Sequence, residues 1–486
     1  MWLIKATGVS KYCTFIYPER KELWFCVVLC LLILTTPLVD GQEKTSGGVT
    51  IYQRIDQVEI QDTGNGPVKN IPVKIAGSTG LKLAFLARAT GGITSVPLNM
   101  FDSQTKDNTT PKVYAQVDDT WRPILYRCDR FRYNAADVFS PVRAETTYEN
   151  VRFHGSPTPA KTGVLSLRNF VIYRGEDLDP PMAPTGVAAI VEKNGVQLSW
   201  QVPDDNVAVA LYVISRAGHD GKFVKVAESA SPVYLDTPPT AGGYRYRVLA
   251  MDFQDNLSPW SETVAVQTDK AFPAPKLTDY ETDRLGYAAH IRKIHAAGKD
   301  KVTKGRVLQF GDSLTGALNY QLLTEAALGR YMVEARGRAG WTSSQGRTVI
   351  TSDLKEVNPE FCLILYGTNN AKDQQAIEAA MADMLAIAKG CKDHGTVPII
   401  ATIPPRGFTD PYSKPEADYN AALIKTCRDH QIPLAYLFEA LQAQPDRKKF
   451  LASDGVHWEN QGFAIAGWAW KQAMDQVTFV LTDQPD

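Results

Sequence analysis

A chain of 486 residues exceeds what one ordinary hydrophobic core organises, so two to four domains are expected. The composition is globular, 44% hydrophobic and 22% charged, and 52 basic against 53 acidic side chains leave a net charge of -1. With no long run of like charge, that balance excludes the basic excess of a protein that tracks phosphates, and nucleic acid is not an expected partner.

At the amino end, a basic stretch ending in Arg20-Lys21 precedes an apolar run from Leu23 to Val39, which Pro37 breaks and polar Asp40-Gly41-Gln42 follows. That order reads as an export signal over residues 1-41, cleaved near residue 41, with a retained signal anchor as the alternative. In either case the chain after Gln42 is translocated, to the cell surface, the periplasm or the medium. No further stretch is apolar enough to enter a membrane. A lipoprotein is excluded because Cys30 lies inside the apolar run and follows Leu29. Cys13, Cys26 and Cys30 belong to this segment, which leaves Cys128, Cys362, Cys391 and Cys427. None forms a CxxC pair, so no structural zinc site is expected. Cys391 and Cys427, each followed by a basic residue, Asp and His, could face each other as a disulfide or stay buried thiols.

From 42 to 180 the chain alternates apolar and polar residues between turn signals, as in Leu81-Lys82-Leu83-Ala84-Phe85 and in Val164 to Tyr173. Such strand-length runs predict an all-β sandwich, which loosely resembles the jelly-roll modules of secreted carbohydrate-active enzymes. Asp179-Pro180-Pro181-Met182-Ala183-Pro184 then breaks the pattern, because proline removes amide donors and fixes extended backbone. Residues 184-268 resemble a fibronectin type III module. The resemblance rests on Val196-Gln197-Leu198-Ser199-Trp200, on Tyr244 to Ala250, and on the closing turn Asp255 to Ser261. Trp200 and Tyr246 are its expected core residues.

A second break, Phe272-Pro273-Ala274-Pro275, opens a module over 276-486 in which strand and helix patterns alternate. Apolar runs at Val307 to Phe310, Tyr331 to Ala335, Phe361 to Tyr366, Val397 to Ile403 and Ile432 to Phe438 predict five strands. Between the third and fourth, Ile377, Met381, Met384, Leu385 and Ala388 share one helix face. This alternation predicts a three-layer α/β domain with a parallel sheet, and a ligand site at the carboxyl ends of the strands.

At those ends stand Phe310-Gly311-Asp312-Ser313-Leu314-Thr315, Arg338-Ala339-Gly340-Trp341-Thr342 and Gly367-Thr368-Asn369-Asn370, with Asp454-Gly455-Val456-His457 after the fifth run. Each alone has a structural explanation: a Gly-Asp-Ser turn, a turn glycine, a left-handed Asn, a helix-entry cap. In this order they resemble the four blocks of the GDSL/SGNH hydrolases, serine esterases with a flavodoxin-like sheet, from Arg306 to about Met474. The resemblance implies Ser313 as nucleophile, His457 as general base and Asp454 as the group that orients it. It also implies an oxyanion hole from the amides of Ser313 and Gly340 and the side chain of Asn369. In one departure, Asn370 stands where the third block usually carries Asp; the donor is the first Asn, so activity is expected to survive. No Gly-x-Ser-x-Gly elbow, metal-ligand set or cofactor motif accompanies these blocks, and no cofactor is expected.

Trp341, Trp458, Arg406 and Phe408 lie near the blocks and either contact substrate, through aromatic stacking on sugar rings, or pack in the core and rim. An exported esterase behind two β modules implies a polymeric ester, most simply an extracellular acetylated polysaccharide. The alternatives are a lipase, lysophospholipase or arylesterase, or a surface carbohydrate-binding protein that has lost turnover.

Overall fold

A computed structural model describes residues 44–482, apart from 47, 63–66, 78–79, 102–107, 112–113, 134–145, 155–161, 274–277, 373–375, 408–412, 445 and 447–448. The expected export signal and Phe408 lie outside the described residues. No described helix is long and apolar enough to cross a membrane.

The first β region holds two five-stranded antiparallel sheets, one centred on Val49–Asp62, Gly163–Arg174 and Leu81–Ala89, the other with Pro67–Ala76 at one edge beside Thr147–His154 and Leu98–Phe101 in the middle. The alternation in the sequence suggests one wet face for Leu81–Ala89, yet nearly every position of that strand is buried. Leu81, Leu83, Phe85, Ala87 and Ala89 enter the core between the sheets. Ala84 and Leu86, on the other face, pack with Val49, Val171 and Tyr173 against Val207, Ala208, Ala210 and Phe253 of the next β region. Lys82 is buried too, held by Glu176 Oε1 and the Gly175 carbonyl, both at 2.7 Å. That second region pairs a three-stranded antiparallel sheet with a four-stranded one, and Trp200 and Tyr246 are buried among its core residues.

Between the two β regions lie Asp177, Asp205 and Asp252, with carboxylate oxygens within 4.8 Å of one another. Burial first, then their mutual repulsion, pushes Asp205 up to about 7 and Asp252 up to about 6, against the amides that bond each carboxylate.

The C-terminal module is a five-stranded parallel sheet: β1 Thr303–Gly311, β2 Met332–Gly337, β3 Pro359–Leu365, β4 Val397–Ala401 and β5 Leu434–Ala435, in the order β2-β1-β3-β4-β5. All seven residues of β3 are buried, as a strand covered on both faces requires. One set of helices, α1 Asp279–Gly298, α2 Leu318–Leu328, α7 Leu437–Gln442 and α8 Asn460–Leu481, packs together on the sheet. The other comprises α3 Ser343–Val357, α5 Ile377–His394 and α6 Ser413–Asp429, with the short α4, Thr368–Lys372, beside α6. Met381, Met384 and Ala388 form the buried face of α5 that their spacing predicts. The fifth strand is shorter than its apolar run, because the Tyr436 amide leaves the sheet to bond the Tyr280 hydroxyl and α7 starts at Leu437. All four described cysteines are buried free thiols; Cys391 lies against Cys362 and is not joined to Cys427.

Both β regions dock on the end of this sheet where its strands begin. From the first, Arg130 bonds Glu325 Oε2 (3.0 Å), Glu334 Oε1 (3.3 Å) and the Val333 carbonyl (2.8 Å), and Arg127 bonds the Arg330 carbonyl (2.9 Å). From the second, Asp255 pairs with Arg330. Lys225, its side chain fully buried, reaches Glu228 (2.6 Å), Thr482 and the Phe479 carbonyl (2.8 Å). A cation there satisfies an orphan carbonyl at the negative end of α8.

Candidate active site

Ser313 follows β1 directly, and the turn that carries it is built tightly. The Asp312 carboxylate, fully buried, accepts the Leu314 amide at 3.1 Å, and Gly316 donates back to the Asp312 and Ser313 carbonyls. Burial pushes the Asp312 carboxyl up to about 7, although the Leu314 amide, His457 and Arg406 all pull it down. Its Oδ2 meets no hydrogen-bond partner among the described residues.

Asp454 and His457 sit on the loop before α8. The loop is pinned by Ala452 N–H to the His457 carbonyl (2.8 Å), Gly455 N–H to the Ala452 carbonyl (2.9 Å) and Glu459 N–H to the Phe450 carbonyl (2.9 Å). Within it, Asp454 Oδ1 accepts the amides of Val456 and His457, each at 2.9 Å, which turns Oδ2 toward the imidazole. His457 Nδ1 lies 2.6 Å from Asp454 Oδ2, and its Nε2 lies 3.0 Å from Ser313 Oγ. The side chains of His457 and Asp454 are 47% and 50% exposed, so the pair opens directly to solvent. Desolvation would raise the Asp454 carboxyl, but the His457 ring and the two amides outweigh it and hold it at about 2. The carboxylate is therefore ionised, and the bond to Nδ1 keeps the Nε2 lone pair facing the serine.

The second and third blocks meet each other and the first. Arg338 N–H bonds the Gly311 carbonyl (3.0 Å), and a Cβ on Gly337 would overlap the Gly316 amide nitrogen, so these loops touch backbone to backbone. Gly340 turns the chain with φ +76°, in open space. Asn369 Nδ2 donates to the Trp341 carbonyl at 2.9 Å, which uses one N–H and leaves the other. Beneath it the aromatic ring of Tyr419 lies so close to Gly367 that a Cβ there would come within 2.5 Å.

The residues expected to contact substrate fare differently. Trp341 is half-buried, with the Arg338 guanidinium 5.1 Å from its ring centroid. Trp458 is 4% exposed and packs edge-on to Tyr320 and Phe463, so it belongs to the core under the histidine loop. Arg406 is 6% exposed; it pairs with Glu416 at 3.1 Å and bonds the Thr368 carbonyl at 3.1 Å, bracing the third block from below. Of the two readings open for these residues, burial favours packing over substrate contact in each case.

Residues 300–465 match the model of the GDSL-like lipase/acylhydrolase family. The match lies within the C-terminal module and takes in all four blocks. Similar solved structures include a GDSL-like lipase from Bacteroides thetaiotaomicron, 19% identical over 39% of this chain and 98% of that one, with a TM-score of 0.31. The lipase/acylhydrolase of Enterococcus faecalis is 19% identical over 37% of this chain and 98% of that one, with a TM-score of 0.32. A catalytic mutant of an acetylxylan esterase from Geobacillus stearothermophilus is 17% identical over 36% and 96%, with a TM-score of 0.31. An alpha-amylase from Niallia circulans is 33% identical over 94 residues, which are 19% of this chain and only 7% of that protein's length.

Proposed function

We propose that this GDSL-family module is the catalytic part of an exported serine esterase that removes acetyl groups from a polysaccharide. The reading rests on one observation, the continuous hydrogen-bond chain from Ser313 Oγ through His457 to Asp454. In the proposed reaction His457 Nε2 takes the Ser313 proton as Oγ attacks the ester carbonyl. The carbonyl oxygen becomes an oxyanion, met by the amides of Ser313 and Gly340 and by the N–H that Asn369 has left. Collapse breaks the bond to the sugar oxygen, which leaves with the proton from His457. Water, deprotonated by the same imidazole, then attacks the acyl-serine and releases acetate and Ser313. Asp454 stabilises the imidazolium that forms at each stage.

The open setting of His457 and Asp454 favours a small acyl group carried on a bulky polymer over a long chain that needs a tunnel. The β regions, read as a jelly-roll-like module over 42-180 and a fibronectin type III-like module over 184-268, and the export signal over 1-41 fit the same extracellular substrate. Acetate release from acetylated polysaccharides, set against fatty-acid release from phospholipids, tests the assignment, with Ser313→Ala as the control. The expected result is acetate release by the wild type alone and fluorophosphonate labelling that the variant loses. Equal labelling of the two proteins, or a preference for phospholipid, would overturn it.

A further inference from the structure

Asn370 stands where the resembled family usually has Asp, and its surroundings give a reason. Its side chain is buried, 1% exposed, over the start of α3. Oδ1 lies 3.1 Å from the Ser343 backbone nitrogen, and Nδ2 lies 2.9 Å from Ser343 Oγ. A backbone N–H can only donate, so the atom facing it must be the amide oxygen, and the NH2 must then donate to the hydroxyl. The hydroxyl proton is thereby turned away from Asn370, toward Asp383 Oδ2 at 3.4 Å. Asp383, itself only 4% exposed, is anchored on α5 and pairs with Arg347 at 3.0 Å.

We propose that Asn370, Ser343 and Asp383 form a one-directional hydrogen-bond relay that positions the oxyanion loop, and that the amide at 370 and the carboxylate at 383 are a matched pair. The relay fixes Ser343. The two residues before it are held in the same manner, Thr342 by its amide to Gln345 Oε1 at 2.9 Å and Trp341 by its carbonyl to Asn369 at 2.9 Å. Three consecutive residues after Gly340 are thus tied down, and Asn369, next in sequence to Asn370, is aimed by the same contacts. A carboxylate at 370 would compete with Asp383 for the single Ser343 proton and set two buried negative groups on one hydroxyl, which is costly. Asn370, Ser343 and Asp383 are positioning residues, and the inference rests on the esterase reading of the site.

The test exchanges the pair. On a small soluble acetate ester, Asn370→Asp is expected to lower kcat about tenfold or more with little change in KM, the pattern of a donor lost in the transition state only. Asp383→Asn alone costs less, because an amide oxygen at 383 still accepts. The double variant, Asn370→Asp with Asp383→Asn, reverses the relay. The amide introduced at 383 donates to the hydroxyl, the hydroxyl donates to the carboxylate introduced at 370, and most of the lost kcat is expected to return. A general loss of fold would not be rescued by a second buried substitution. Wild-type kcat in Asn370→Asp, or a double variant no better than that single one, would overturn the proposal. Should Asn370→Asp not fold, the double variant decides alone: folded and active supports the relay, unfolded or inactive refutes it. Ser313→Ala assayed alongside keeps the two readings apart, since activity in that variant would sink the esterase assignment whatever residues 370 and 383 do.

Discussion

Replacing Asp454 by Asn tests whether this carboxylate orients the base or merely caps its own loop. The Asn oxygen can still accept the Val456 and His457 amides that Asp454 Oδ1 accepts now, so the loop should keep its shape. The NH2 then faces His457 Nδ1 in place of Oδ2, and two donors cannot share that contact. The ring escapes by moving its proton to Nε2, which aims an N–H at Ser313 Oγ and leaves no base for the serine proton. For a buried triad carboxylate this change costs about 10⁴ in kcat. Asp454 is half exposed, and solvent relieves part of the electrostatic penalty, so a loss of about 10³ is expected, which is about 4 kcal/mol of barrier. Steady-state kinetics on a soluble acetate ester measures it, with a thermal melt to confirm the fold. A kcat within about tenfold of wild type would show that Asp454 acts as a loop cap and that His457 orients itself. In the wild type the carboxyl held at about 2 stays ionised, so the pH profile of kcat should lack an acid limb in the usual carboxylate range.

Asn369→Ala removes the proposed oxyanion donor together with the bond to the Trp341 carbonyl, and kcat should fall about 10² to 10³-fold with a small effect on KM; an unchanged kcat would leave that side chain a structural role only. Lys225→Met leaves Glu228 without its cation where the second β region meets α8, and stability should drop by about 3 kcal/mol in a denaturant titration while kcat is kept. The Asp177, Asp205 and Asp252 cluster has a definite sign. Folded values raised above the unfolded carboxylate value mean that the folded state holds more protons, so stability is fullest below about pH 4 and falls as pH rises toward 7. Asp205→Asn should therefore raise the melting temperature more at pH 8 than at pH 5, and an equal shift at both would contradict the linkage.

The sheet and the loops of the site were legible because their signals are local. Val307 to Phe310 and Phe361 to Leu365 are largely apolar runs, and the first three blocks each sit at a strand end, so order along the chain carries much of the geometry. What failed depended on partners far away in sequence. Nothing around Lys82 announces Glu176 and the Gly175 carbonyl, and nothing in Ala84 and Leu86 announces the second β region, so a strand buried on both faces reads as a half-wet one. Arg406 and Trp458 lie close to the blocks in sequence, but adjacency does not say which way a side chain points. One turned to Glu416 and the other to Tyr320. Asn370 was visible as a departure, and its partner Asp383 was not, since Ser343 brings the two together across α3 and α5.

The grip of both β regions on the starting ends of the strands sets what a polymer would experience. A leashed pair of modules explores a volume, and its local concentration follows linker length; a docked pair offers one distance and one bearing. Any groove on the β regions would thus stand in fixed register with Ser313, like the jaw and anvil of a gauge, and spacing along the polymer would matter more than slack in the linker. It follows that lengthening the connection between Thr268 and Thr278 should hardly alter the reach of the enzyme, because Arg130, Lys225 and Asp255, and not that connection, hold the assembly at its setting.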